Sequence, residues 1–296
     1  MDRRILLKTL LTGLVLPLAP LNISKAFAAT GRRLILVELS GANDGLNTVV
    51  PIRDHRYREF RPTIGLKKSE VFNIGDDLTF HSAMRNMDGV WQDSELAIVH
   101  GLGYPGANRS HFKSIALWET GGDGTKNGRT GWLTDDIENM NGSNFLDAHG
   151  ISLDGGMGIF ASPGGVWLSM TSAQDFRRLS SQPILKKDSN NPALAMLLDR
   201  AQTLNSSMEK ISQKLSRKNQ VHFRVRGRKL GAQLGTAAQL IHAGIETPVI
   251  KVQLGGFDTH EGQLQRHRRL LRELGRSLSD FRRGLKRIGQ WKNTLI

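Results

Sequence analysis

Leu34-Ile35-Leu36-Val37-Glu38-Leu39 is an almost unbroken apolar run, and it feeds straight into Gly41-Ala42-Asn43-Asp44-Gly45. Two further runs behave alike. Leu96 to Val99 precedes Asn108-Arg109-Ser110-His111, and Val249 to Leu254 precedes Gly255-Gly256-Phe257-Asp258-Thr259-His260. Continuous leucine and β-branched runs predict strands buried on both faces, and parallel sheets place ligands beyond the carboxyl ends of their strands. If the three runs are neighbours, one Asp, one Ser-His pair and one Asp-x-His share a cleft. That is a metal and nucleophile constellation rather than a packing pattern.

Working outward, strand-like runs alternate with helical patterns from Arg32 onward, which predicts an α/β fold. Asp54 to Asp77 reads as a surface excursion, with Arg61-Pro62 blocking a helix and Gly75-Asp76-Asp77 turning the chain. Ala83 to Trp91 reads as a short helix, and Gly121 to Gly165 as loops with short pieces of structure. After a polar stretch, Arg177 to Asn191, a helix opens at Asn191-Pro192. Leu194, Leu197, Ala201, Leu204, Met208, Ile211 and Leu215 then give it one apolar stripe. The spacing returns in Leu264, Leu271, Leu274, Leu278, Phe281, Leu285 and Ile288, a final helix laced with arginine. Its basic face reads as a solvated surface, or else as a contact for nucleic acid or anionic lipid. Stacking aromatics and a groove-reading motif are missing, so no specific nucleic-acid partner is expected.

The 296 residues suffice for a large core. Only the first 28 depart from a soluble composition. Arg3, Arg4 and Lys8 precede an apolar stretch from Thr9 to Leu21, and Ala26-Phe27-Ala28 supplies a processing site. Residues 1–28 therefore read as a twin-arginine-type signal for a periplasmic or secreted protein, engaging the twin-arginine export machinery. A spanning helix needs roughly 20 apolar residues, more than this stretch provides, so no stable transmembrane segment is expected. With no cysteine, any metal must be held by oxygen and nitrogen ligands. A net charge of +14 favours anionic partners without choosing among them.

Each chemical candidate also has a plain structural reading. Asn43-Asp44-Gly45 makes an ordinary turn, yet Asp44 follows the first strand, where a carboxylate reaches the crevice and Asn43 and Asn47 can support it. Ser110 is a natural N-cap for a helix from His111 to Glu119, yet a hydroxyl there also meets backbone N–H donors that stabilise an oxyanion. Arg109 suits a phosphoryl or sulfuryl group, and His111 serves as base, ligand or simple helix residue. Asp258 and His260 can point to one side of an extended backbone, a spacing that suits zinc, manganese or iron; otherwise they form a loop with a satisfied histidine. His81 and His100 are weaker candidates.

Several segments in order resemble an exported bacterial family, domain-of-unknown-function family 1501, related in fold to alkaline phosphatases and sulfatases. They are Leu36 to Pro51, Asn108-Arg109-Ser110-His111-Phe112, Thr130-Gly131-Trp132-Leu133, and Gly255 to His260 with Gln263. The family's glycine pair before Asn-Asp-Gly is Gly41-Ala42 here. The resemblance implies a three-layer α/β/α sandwich of alkaline-phosphatase-like type over residues 29–296. Asp44 would be a first metal-binding aspartate, Ser110 the nucleophile, and Asp258 with His260 a second metal position. It further implies divalent ions (zinc, manganese, calcium or iron) and hydrolysis of a small or polymeric anionic phosphate or sulfate ester. Similar proteins continue past the basic helix into Ser-Glu-Phe-Gly-Arg-like and Thr-Asp-His-Gly-like segments. Neither precedes Ile296, so the domain is expected to lack its C-terminal strands and further ligands, and to be inactive in that case. The alternative expectation is a non-catalytic cell-envelope binding or assembly protein on the same fold.

Overall fold

In the computed structural model, strand β1 (Arg33–Leu39) pairs in parallel with β7 (Val249–Leu254), in register from Leu34 opposite Val249 to Leu39 opposite Leu254. The structure describes residues 31–296 apart from 76–77, 105, 123–129, 141–144, 175, 177–189, 218–220 and 222. The leader read at 1–28, Asp76-Asp77 and most of the polar stretch 177–191 lie outside the described residues. Beyond β7 come β5 (Gly150–Ser152) and β6 (Trp167–Ser169), and β8 (Thr294–Leu295) lies against the other side of β1. All pairings in this five-stranded sheet, ordered β6-β5-β7-β1-β8, are parallel.

The period of two explains why the runs are mostly apolar, Glu38, Lys251 and Gln253 being the exceptions. Ile35, Val37 and Leu39 of β1, with Ile250, Val252 and Leu254 of β7, join the larger core. Leu34 and Leu36, with Val249, join a second core on the opposite face. Ile35 and Ile250 are wholly buried, which contributes about 2–3 kcal/mol of transfer free energy each. The larger core is covered by α6 (Lys229–His242) and α7 (Gln263–Arg287). The second receives Trp118 from α3 (His111–Thr120) and Ile137 from α4 (Thr134–Glu138). Here Gly131 is obligatory, because a Cβ would collide with the Ile159 carbonyl, and this contact lets the neighbouring Trp132 bury.

Three expectations need correction. Leu96 to Val99 forms no strand: Leu96 and Ile98 lie half-buried against the larger core, Val99 is exposed, and no described strand pairs with the segment. Apolar alternation brings such a segment to the core, but without a ladder partner it stays irregular. Residues 54–77 hold more regular structure than an excursion. They carry α1 (His55–Phe60) and β3 (Val71–Gly75), and β4 (Leu78–His81) pairs antiparallel with both β3 and β2 (Val49–Val50). As read, α1 stops before Arg61-Pro62. Ala83 to Trp91 divides into a 3-10 segment (Ser82–Met87) and α2 (Asp88–Gln92).

The long helix α5 (Pro192–Arg217) opens where expected, with Asn191 accepting from Ala193 and Leu194. Its stripe is only half used, however. Ile211 and Leu215 are buried, whereas Leu194 and Leu197 are exposed, because the helix reaches past the core at its N-terminal end. In α7, Leu271, Leu274, Phe281 and Leu285 are buried and Leu264 is exposed. Among the described residues no helix is long and apolar enough to cross a membrane.

Candidate functional site

Because β1 and β7 end level with each other, their following loops continue side by side. The Ser40 amide donates to the Leu254 carbonyl, and the Phe257 amide donates back to the Ser40 carbonyl. Gly41, at φ +100°, makes this approach possible: a Cβ there would lie 2.5 Å from the Asp258 backbone nitrogen. The Asp44 and Asp258 loops are thus packed together, as the sequence predicts.

Asp258 is half-exposed. Its Oδ1 lies 2.8 Å from His260 Nε2 and 3.6 Å from His111 Nε2, so one carboxylate faces two imidazoles. His111 is the first residue of α3, which brings residues 109–111 to this rim although Leu96 to Val99 forms no strand. Ser110 fills its capping role, accepting from the Lys113 amide at 3.5 Å, while its own amide donates to Asn108 Oδ1. That capping bond is long, and the Ser110 side chain stays exposed beside Arg109, also exposed. His100 is likewise exposed.

Asp44 lies deeper and is already committed. Oδ1 accepts from the Asn47 amide, and Oδ2 accepts from Arg61 Nη1 at 2.5 Å and Gln263 Nε2 at 3.1 Å. Gln263 in turn accepts from the Thr259 hydroxyl, tying the Asp44 loop to the residue after Asp258. The two asparagines support the loop rather than the carboxylate. Asn43 Oδ1 meets His267 Nε2 at 2.9 Å, and the Asn47 side chain bridges Tyr57 and the Ile64 carbonyl.

His267 and His81 form a dry pair behind the rim, their rings 6.2 Å apart edge to face. Burial pushes the His267 imidazole down. Burial, then the neighbouring His267, lowers His81 to about 4, and its Nδ1 accepts from the Ala83 amide. His81 thus holds the start of the Ser82–Met87 segment through this bond.

Sequence reasoning missed Arg61 and His267. Arg61 gives no local sign, since it meets Asp44 only through the tertiary fold. His267 was detectable: it falls four residues after Gln263 and four before Leu271, a polar entry on the apolar seam of α7.

Carboxylate oxygen and imidazole nitrogen, brought together in Asp258 and His260, are donor types that a borderline divalent ion accepts. Asp44 does not suit one as placed, because Arg61 already balances its charge. Among the described residues no group of three or more His, Asp or Glu is disposed to hold a metal ion.

Comparison with curated proteins finds no match, and comparison with solved structures finds none either. Residues 31–296 match the family described as protein of unknown function DUF1501, and the chain belongs to that family.

Proposed function

We propose that the chain is an exported hydrolase of phosphate or sulfate esters, built on an alkaline-phosphatase-like sandwich and working in the periplasm or outside the cell. The observation that carries this reading is the meeting of Asp258, His260 and His111 beside the exposed Ser110 at the head of α3. Asp258 and His260 are the residues that would hold a divalent ion, and such an ion would supply Lewis-acid polarisation of the ester oxygen. Arg109 orients the anionic group by its guanidinium fork. His111, steadied by Asp258, moves the proton of the attacking hydroxyl, which belongs to Ser110 or to water. Attack at phosphorus or sulfur breaks the bond to the leaving alcohol oxygen, which takes up the proton from His111; where Ser110 attacks, water then cleaves the Ser110 ester in the same way.

The test combines metal analysis of the purified chain with turnover of aryl phosphate and aryl sulfate. Turnover that Asp258→Asn abolishes, and that falls at least about 100-fold in Ser110→Ala, supports a serine nucleophile. Turnover lost in Asp258→Asn but kept in Ser110→Ala assigns the attack to water. A chain that binds no divalent ion and turns over neither ester overturns the proposal.

One observation favours a second reading, a non-catalytic envelope binding or assembly protein: Arg61 pairs with the Asp44 carboxylate, which the family resemblance assigns to a first metal. A chain whose fold and ligand binding are indifferent to Ser110 and Asp44 substitution would match that reading.

A further inference from the structure

Alongside α7 runs a groove of about 830 Å³, bounded on its other side by residues 226–228 and ending at Gly256, two residues before Asp258. Six arginines line it against one carboxylate, Glu273. The wall is fixed from α7 by three side chains. Glu273 accepts from the amides of Arg228 and Leu230, Ser277 donates to the Arg226 carbonyl, and buried Asp280 accepts from both the amide and the guanidinium of Arg226. The groove is therefore preformed. Glu273 already serves the N-terminal amides of α6, so an anion here would meet guanidinium groups rather than a helix end.

Charge is segregated along α7. Towards its C-terminus, Arg282 and Lys286 pair with Asp93 and Glu95, and Arg283 pairs with Asp280. In the groove, Arg228, Arg269, Arg272 and Arg276 have no ion-pair partner among the described residues. Guanidinium groups gathered without counter-charge repel one another, and a bound anion removes that cost.

We infer that this groove binds a soluble polyanion of oligosaccharide size carrying several phosphate or sulfate groups. Arginine forks match tetrahedral oxyanions in a bidentate way. The volume falls within the range of small-ligand sites, roughly 300–1,000 Å³. No aromatic side chain lines the groove, which disfavours stacked nucleobases, and its concavity does not fit a bilayer surface. The inference does not rest on the proposed hydrolysis, since binding requires no turnover.

Calorimetry on the full chain at about 0.15 M salt, with inositol hexakisphosphate and a fully sulfated heparin-type hexasaccharide as probes, tests it. Binding of either probe supports the site, and the tighter one names the preferred group. The Arg269→Ala, Arg272→Ala, Arg276→Ala triple variant should weaken binding at least about 100-fold, and exposed Arg276→Ala alone about tenfold. A control that removes Lys210, Arg217 and Lys292, exposed on other elements, should change it less than about threefold. Asp258→Asn, the variant that abolishes turnover in the hydrolase reading, should leave binding intact, which separates failure of this site from failure of that reading. Equal loss in the control, no loss in the triple variant, or tighter binding of single-stranded DNA or anionic vesicles would overturn the inference.

Discussion

Two charged groups lie on or just beyond β7, and they live under opposite conditions. Lys251, in mid-strand, is 1% exposed and reaches Asp154 at 2.5 Å and Glu38 at 2.9 Å, the latter an ion pair off hydrogen-bond geometry. Asp154 is bonded further by Ser152 and the Gly156 amide. Burial alone would push the Lys251 ammonium down, but its pairing with Asp154 and Glu38 outweighs that and holds it above its ordinary value. Glu119 of α3 stands over the same cluster and is raised, first by burial and then by Glu38 and Asp154. Asp258, past the strand's end, is 43% exposed and faces His260 and His111 in water. The difference teaches where chemistry is affordable. The closed cluster has no lone pair to offer without leaving a buried charge alone, whereas the rim can exchange partners at little cost.

The sharpest way to break this comparison is to remove one charge from each. Lys251→Met should destabilise the fold by about 3–5 kcal/mol, because Asp154 and Glu38 would stay buried without a cation. Asp258→Asn should change stability by less than about 0.5 kcal/mol. Urea unfolding of both variants gives the two numbers, and similar losses would mean that the rim is as closed as the cluster.

Acid titration comes next in size. His81 is kept neutral in the folded chain, with its value lowered to about 4 against 6.5 when unfolded. The unfolded state therefore takes up the proton first. Its contribution is intact above pH 6.5, declines as pH falls through the window, and is gone near pH 4, a loss of about 3 kcal/mol. His267, also lowered, acts in the same direction. Subtracting the stability–pH curve of His81→Gln from that of the parent isolates this slope. Parallel curves would show that the dry pair does not titrate as its burial requires.

Arg61→Ala probes the intermediate case. Asp44 and Arg61 are 11% and 19% exposed, so the pair sits between the cluster and the rim. Losing it should cost about 1–2 kcal/mol, less than a fully buried pair. It also frees a carboxylate, so divalent-ion affinity should rise if Asp44 belongs to a metal site. Unchanged affinity would favour the binding-protein reading.

These residues also show how far the sequence could be read. β1 and β7 were legible because each sends apolar side chains to both cores, so that apolar residues outnumber polar ones along the run. Asp258 and His260 were legible because they follow such a strand directly. Leu96 to Val99 carried the same signal and misled, since an apolar run reports burial and not the presence of a ladder partner. The Lys251 cluster was hidden for the converse reason: Lys251 and Glu38 look like polar breaks in apolar runs, and only strand adjacency turns them into a pair. Arg61 was read correctly as a helix stop and missed as the partner of Asp44, because 17 residues of tertiary path separate the two.

The smallest effect concerns the one place where the chain departs from the glycine pair of the family it resembles. Ala42 sits at φ +60°, a left-handed conformation that costs a residue with a Cβ roughly 1–2 kcal/mol. Its neighbour Gly41 cannot change without pushing Asp258 away, but Ala42 is exposed and only strained. Ala42→Gly should therefore stabilise the chain by about 0.5–1 kcal/mol, the relieved strain being partly offset by the greater freedom of glycine when unfolded. A raised urea midpoint with an unchanged slope would place that strain in the folded loop. A lowered midpoint would mean that Ala42 helps to hold the Asp44 loop in position against the Asp258 loop, and the rim would then be less freely adjustable than its exposure suggests.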